Sequence, residues 1–417
     1  MRVLLSTIGS LGDVQPLVAL AVELRSLGHD VRLCVPPDFR GWIESLGMPV
    51  TPLGPEVRAT AKAPRAMSPP TPEQLREAIA GSLATQFATI AEAADGCNVM
   101  VGATALQVAA PSIAERIGIP YVFVAYSPTV LPSRHHAPPV LTALGESPAD
   151  PIVDYSELWA KDAQRWNDTW GASLNTHRAA LDLMPVSDVR RYVLTDRPWL
   201  AADPILTPWP DPDDRSVVQA GAWILPDTRA LSGALEAFLD AGEPPIFFGF
   251  GSGRAPTGLG EGLIAAARAV GRRAIVSRGW ADLSLPEDAR DALAIGEVNY
   301  RVLFPRIAAI VHHGGAGTAT AAALAGVPQV VIPQIYDQHY MAQRCQHLGI
   351  GAAHAPGTPT AASLTRALEK IMTPETVARA RSIASKMTGD CARTAAEELV
   401  ALATGTSHRS RRQESQP

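Results

Sequence analysis

The segment His312-His313-Gly314-Gly315-Ala316-Gly317-Thr318 joins an apolar run, Ala308 to Val311, to a helix-prone stretch through a glycine-rich turn. Glycines let backbone amides come close to an anion. The first turn of a helix then adds N–H groups without internal acceptors and the positive end of a dipole. Together these residue types predict a place to hold phosphate. The apolar run reads as a strand buried on both faces. The helix is expected from Thr318 to about Ala325, ended by Gly326 and Pro328.

A second set of residues could move a proton. Asp13 lies in Gly9-Ser10-Leu11-Gly12-Asp13-Val14-Gln15-Pro16, between the first strand and the first helix. A carboxylate there can accept a proton from an attacking hydroxyl, and the same position also suits a helix-capping acid. Asp337-Gln338 follows the apolar strand Gln329 to Ile332, and the pair can accept from and donate to neighbouring hydroxyls. An N-cap role for Asp337 stays open as well. His135-His136 has no third ligand at a recognisable spacing, so it does not read as a metal site, although a base or an acceptor contact remains possible. Asp211-Pro212-Asp213 lies in a proline-rich stretch where turn chemistry explains it better than metal binding.

Parallel sheets are the elements that must position these groups. The first half alternates strands (Arg2 to Ser6, Val31 to Val35, Val50 to Pro52, Val99 to Val101, Tyr121 to Val124) with helices such as Leu17 to Leu27. Irregular, proline-rich stretches at 52–72 and 126–155 hang off these strands and are assigned to an acceptor pocket. Residues 203–216 read as an interdomain linker. Val217-Val218 opens the second half, which repeats the alternation through Ile246 to Phe250, Ala274 to Val276, Ala308 to Val311 and Gln329 to Ile332. The expected organisation is an α/β chain with domains at 1–202 and 217–403 and a disordered tail at 404–417. Ligands are expected in the cleft, at the C-terminal ends of the strands.

Composition limits the function classes. At 417 residues the chain is long enough for two cores, and 47% hydrophobic with 18% charged residues describes a well-filled globular protein. A net charge of −5 argues against a general nucleic-acid binder. No 18-residue apolar run or signal-like N-terminus occurs, so a cytoplasmic protein without integral membrane association is expected, as monomer or homodimer. Cys34, Cys97, Cys345 and Cys391 lack metal-ligand spacing and read as free thiols, mostly buried.

The phosphate segment resembles the donor-binding signature of the GT-B, family 1 type nucleotide-sugar glycosyltransferases, which have two Rossmann-like domains. The bacterial antibiotic and natural-product enzymes, above all the glycopeptide type, are the nearest in pattern. Gly9 to Pro16, Gly249-Phe250-Gly251-Ser252, Ser277-Arg278-Gly279-Trp280 and Pro333 to Gln338 match the same group in order and spacing, over roughly residues 1 to 400. The resemblance implies an inverting, metal-independent transfer from a dTDP- or UDP-sugar to a hydroxyl of a natural-product aglycone. His313, the amides of Ala316, Gly317 and Thr318, and Ser252 would hold the diphosphate; Asp337 and Gln338 the sugar; the Val298 backbone the base. Ser10 and Gly12 would lie near the phosphate. Many relatives place a tryptophan where this chain has Glu297, which leaves Trp280 as the candidate for stacking. The last helix is expected to cross back onto the first domain.

Three rival readings make different demands. A dehydrogenase would want Gly-x-Gly-x-x-Gly after the first strand, and Gly9-Ser10-Leu11-Gly12 lacks that spacing. A nucleotide-sugar epimerase of the same fold would need cleft carboxylates but no aglycone pocket. A non-catalytic partner of a transferase would be expected to lose the donor signature, which is intact here.

Overall fold

The computed structural model describes residues 1–59, 71–104, 106–139, 154–211, 213–253, 259–283, 285–286, 289–355 and 358–405. Parts of both expected acceptor loops (60–70 and 140–153), Pro212 and the tail from 406 lie outside these residues.

Two parallel sheets form the frame. The first contains β1 (Arg2–Thr7), β2 (Asp30–Val35), β3 (Val50–Pro52), β4 (Val99–Ala103), β5 (Tyr121–Ala125), β6 (Trp199–Leu200) and β7 (Val218–Gln219), in the order β3-β2-β1-β4-β5-β6-β7. The second contains β8 (Ile246–Gly249), β9 (Ala274–Ser277), β10 (Ala292–Ile295), β11 (Ala309–His312), β12 (Gln329–Val331) and β13 (Gly351–Ala353), in the order β10-β9-β8-β11-β12-β13. Their near-continuous apolar runs follow from burial on both faces. Val3 and Leu5 of β1 enter one core and Leu4 the other. In the second sheet Phe248 and Val311 enter one core, and Phe247 and Ile310 another. This is the GT-B architecture, two Rossmann-like α/β domains.

Each sheet reverses its strand order once, between β1 and β4 and between β8 and β11. Crevices open at such switch points, beyond the C-terminal strand ends. The first turn of the helix after β1 carries Asp13, and the loops after β8 and β11 carry Ser252 and His313.

Four helices matter to the site: α1 (Leu11–Ser26), α2 (Ala316–Leu324), α3 (Gln338–His347) and α4 (Ala392–Ala403). α4 crosses back as the resemblance implied. Its Ala392, Ala395, Ala396 and Leu399 share the first domain's core with Val14, Leu17 and Leu24 of α1. Arg393 adds a 2.8 Å hydrogen bond to Ser26 and a 3.5 Å ion pair with Glu23.

Two sequence expectations change. Val217-Val218 does not open the second half, because Val218 and Gln219 pair with Trp199 and Leu200 as the edge strand of the first sheet. The stretch from 203 is also more than a tether. Leu206 is fully buried in a core of the second domain, and Arg344 of α3 donates to the carbonyls of Leu206 (2.8 Å) and Ile205 (3.1 Å). The chain thus touches the second domain, returns to finish the first sheet, and only then crosses. Pairing between strands distant in sequence decided this, and local periodicity carries no trace of it.

Candidate active site

On the first domain, the end of β1 turns through Ile8 and Gly9 into α1, with Ser10 as N-cap. Asp13 sits one turn in. Its Oδ2 accepts from the Ser10 amide at 2.6 Å and from the Ser10 hydroxyl at 3.1 Å. The capping alternative is therefore realised, but it uses only one carboxylate oxygen. Oδ1 has no hydrogen bond among the described residues. Gly9 makes this pose possible, since a Cβ there would stand 2.2 Å from Oδ2. Tyr126, just beyond β5, donates its hydroxyl to the Asp13 carbonyl at 3.1 Å and ties two strand ends together. Burial raises the Asp13 carboxyl above its ordinary range, and the two Ser10 hydrogen bonds oppose the shift. Gly12 is exposed on the same turn.

On the second domain, α2 begins at Ala316, two residues before the sequence reading placed it, with Gly315 as N-cap. Ala316, Gly317 and Thr318 are therefore its first three residues, whose amides have no acceptor within the helix. Gly317 is exposed, and a Cβ there would meet nothing within 4 Å. The N-terminus is open to an anion.

The two histidines separate cleanly. His312 is fully buried at the end of β11; its Nε2 lies 2.9 Å from Gln329 Oε1, and its Nδ1 accepts from the Gly314 amide at 3.1 Å. Because Nδ1 accepts, the proton resides on Nε2 and points at Gln329. His312 is a structural residue. His313 is also buried, but its Nδ1 has no partner at hydrogen-bonding geometry. Its ring packs so tightly on backbone that a Cβ at Gly315 would come within 2.6 Å of Nε2. Burial lowers the His313 imidazole to about 4, so the ring is neutral and able to donate a hydrogen bond. Ser252 lies in the turn after β8, and its hydroxyl makes no hydrogen bond among the described residues.

Asp337 is the N-cap residue of α3, yet its side chain makes no capping bond. The capping alternative fails here, and the carboxyl is left for other work. Burial, and then the charge of Asp13 from the opposite domain, raise it to about 6. Gln338 Oε1 accepts from the amides of Gln334 (2.8 Å) and Ile335 (3.1 Å), which leaves its NH₂ group to donate.

Val298 is partly buried beside a cavity of about 400 Å³, also lined by Arg229, Ser232, Leu293, Gly296 and Glu297. Trp280 departs from the expectation. Only 8% exposed, it belongs to a core of the first domain, with its ring 6.2 Å from that of Phe39. The Arg58 guanidinium lies over it at 5.8 Å and reaches Glu297 at 3.4 Å. A base could stack on Trp280 only by displacing these groups, so in this structure the residue serves domain contact.

His136 is boxed by Trp159 and Trp209, with ring centroids at 5.8 and 6.2 Å, and burial lowers it to about 4. Asp211 is engaged by Arg134 at 3.1 Å. Among the described residues no group of three or more His, Cys, Asp or Glu is arranged to hold a metal ion, and no helix is long and apolar enough to cross a membrane. The four cysteines are free, and all but Cys391 are buried. Sequence reading missed Gly9, Gly315 and Tyr126 as site-shaping residues. The two glycines stood inside quoted motifs, whereas Tyr126 carried no signal.

Comparison with known proteins shows the family. Residues 3–133 match the glycosyltransferase family 28 N-terminal domain, and 275–402 match the erythromycin biosynthesis protein CIII-like C-terminal domain. The chain is similar to the vancomycin aglycone glucosyltransferase of Amycolatopsis orientalis, at 48% identity over 96% of this chain and 97% of that protein. It is also 42% identical to the dTDP-epi-vancosaminyltransferase of the same organism, over 92% of this chain and 93% of that one. In fold it is similar to the crystal structure of the glycotransferase of kitacinnamycin, with a TM-score of 0.71 at 18% identity over 96% of this chain and 98% of that one. The chain belongs to the GT-B nucleotide-sugar glycosyltransferases of the bacterial glycopeptide and natural-product type.

Proposed function

We propose that this glycosyltransferase moves a sugar from a dTDP- or UDP-sugar to a hydroxyl of a glycopeptide or similar aglycone, with inversion and without a metal, in a cytoplasm. The observation that carries this reading is the opposition of two half-sites at the two switch points. Asp13, with one carboxylate oxygen unbonded, stands at the first domain's switch point and acts by its charge on Asp337 and Tyr336 of the second domain, whose own switch point carries the open amides of α2 beside His313.

Asp13 takes the proton from the acceptor hydroxyl as that oxygen attacks the anomeric carbon. The diphosphate leaves from the opposite face, so configuration inverts. Ala316, Gly317 and Thr318 donate to the departing phosphate through the helix N-terminus, joined by the hydroxyls of Thr318 and Ser252 and by the His313 ring. Such preorganised donors act on charge as it develops. Asp337 and the NH₂ of Gln338 hold the sugar, with the base at the Val298 backbone, where the adjoining cavity has the size of a small-ligand site. Ser10 orients Asp13, and Gly12 leaves the turn open. Donor binding is assigned to the second domain and acceptor binding to the first, with the boundary after Gln219.

Gly9→Ala tests the pose of Asp13. The added methyl would stand 2.2 Å from Oδ2 and 2.8 Å from the Asp13 Cβ, so the carboxylate must leave Ser10 and the first turn of α1 must give; kcat should fall about 10²-fold, by more than any lowering of the melting temperature accounts for. An unchanged kcat in initial-rate kinetics would show that this pose is not needed.

Donor binding is checked by calorimetric titration with thymidine diphosphate and uridine diphosphate, first in EDTA and then with magnesium. Tight binding of one nucleotide in EDTA is expected, unchanged by magnesium. Binding that required magnesium would sink the metal-free mechanism, and no binding of either would sink the transferase reading.

A further inference from the structure

The loop between β12 and α3 holds an outlier that the reaction as described does not use. Tyr336 has φ +52, a left-handed conformation that a bulky side chain adopts only at a cost. Its surroundings impose that conformation. Besides the two amides bonded to Gln338 Oε1, the Gln338 amide donates to the Ile335 carbonyl at 3.2 Å. The strained turn presents an aromatic ring that is 52% exposed, beside Ile335 at 38%, whereas every other tyrosine in the chain is more buried.

Tyr336 lies beyond the C-terminal end of β12, at the same end of the sheet as Ser252 and His313. After burial, the Asp13 charge is the next cause raising the Tyr336 phenol, and it acts on Asp337 in the same way. On the Asp13 side, β4 runs hydrogen-bonded next to β1, and just past its end Leu106 is 45% exposed. Large apolar side chains are therefore exposed at the strand ends of both domains.

We propose that Tyr336, with Ile335, is an acceptor-binding element supplied by the second domain, its ring lying against an aromatic or apolar face of the aglycone and turning the reacting hydroxyl toward Asp13. The inference rests on the proposed role of Asp13. A strained, rigid aromatic needs little ordering when substrate arrives, which is the physical gain that offsets its backbone cost. Acceptor choice would then depend on both domains, so the cleft must close before the aglycone is fully held.

The test compares wild type with Y336A, Y336G and Y336F, using UDP-glucose or dTDP-glucose as donor and vancomycin aglycone as acceptor. Release of nucleotide to water without acceptor reads the donor site, and the KM for the aglycone reads the inference. Y336A and Y336G should raise that KM about tenfold with nucleotide release unchanged, and Y336F should stay within about twofold of wild type. Y336G should melt no lower than wild type, because glycine adopts positive φ freely. An unmoved KM in Y336A, or nucleotide affinity falling in step with it, would overturn the inference. A wild type that releases nucleotide yet glycosylates no aglycone would overturn the acceptor class and this inference with it. Failure to bind nucleotide would instead strike the donor reading.

Discussion

Asp13→Ala is expected to lower kcat by about 10²–10⁴ with nucleotide affinity almost unchanged, because a positioned base acts in the transition state and not on the bound donor. Asp13→Asn is the cleaner variant. Its amide oxygen can still accept from Ser10, so α1 stays capped while the base is lost. Lost nucleotide affinity with intact chemistry, measured by calorimetry beside steady-state rates, would remove Asp13 from the role. The pH profile carries the same information. Burial raises the Asp13 carboxyl, so activity should fall on the acid side above the ordinary carboxylate range. Asp337, raised to about 6 by burial and then by Asp13, makes this a coupled titration of a pair. Asp337→Asn removes the second titrating carboxyl, so an acid limb that persists in this variant belongs to Asp13. The stability effect of Asp337 has the sign of a raised carboxyl. Its contribution is full below the unfolded pKa of about 3.9 and is lost as pH rises through the folded value.

His313→Ala is expected to lower kcat by about 10²–10³, the usual cost of losing one preorganised donor at a site of developing negative charge. The ring is held neutral, lowered to about 4 by burial, so its help is a hydrogen bond and not a full charge. Its contribution should accordingly stay constant across neutral pH, with no limb of its own near 6. The fold should tolerate the change better than the chemistry does, since the ring's only polar tie to the protein is to the Gly249 backbone and its Nδ1 has no partner at hydrogen-bonding geometry among the described residues. A kcat unchanged while the unfolding midpoint drops would make His313 a packing residue. The contrast with His312 is physical. That ring already spends both nitrogens, on Gln329 and Gly314, and has nothing left for a ligand.

The sequence alone determined the parallel α/β frame, the glycine turn into a helix N-terminus and the two acidic motifs. Strands buried on both faces must be apolar throughout, as Val3 to Leu5 and Ala309 to Val311 are, and a helix N-terminus after glycines is a local matter of backbone chemistry. The two short strands at one end of the first sheet escaped it. Trp199–Leu200 and Val218–Gln219 have only two residues each, too few for any period, and exist because a neighbouring strand is there to pair. Side-chain roles at the site divided along the same line. That Asp13 could cap or catalyse was legible, but that one oxygen caps and the other stays free required the distances to Ser10. His312 and His313 look alike in sequence, and only the position of Gln329 on the adjacent β12 separates them. Trp280, an apparent stacking platform, proved to be covered by Phe39 and Arg58 from the first domain. Local sequence specifies which groups a backbone can present. Which of them remain without a partner, and so free to meet a ligand, is decided by the tertiary contacts each side chain makes, from a neighbouring turn at Ser10 to the other domain at Phe39 and Arg58.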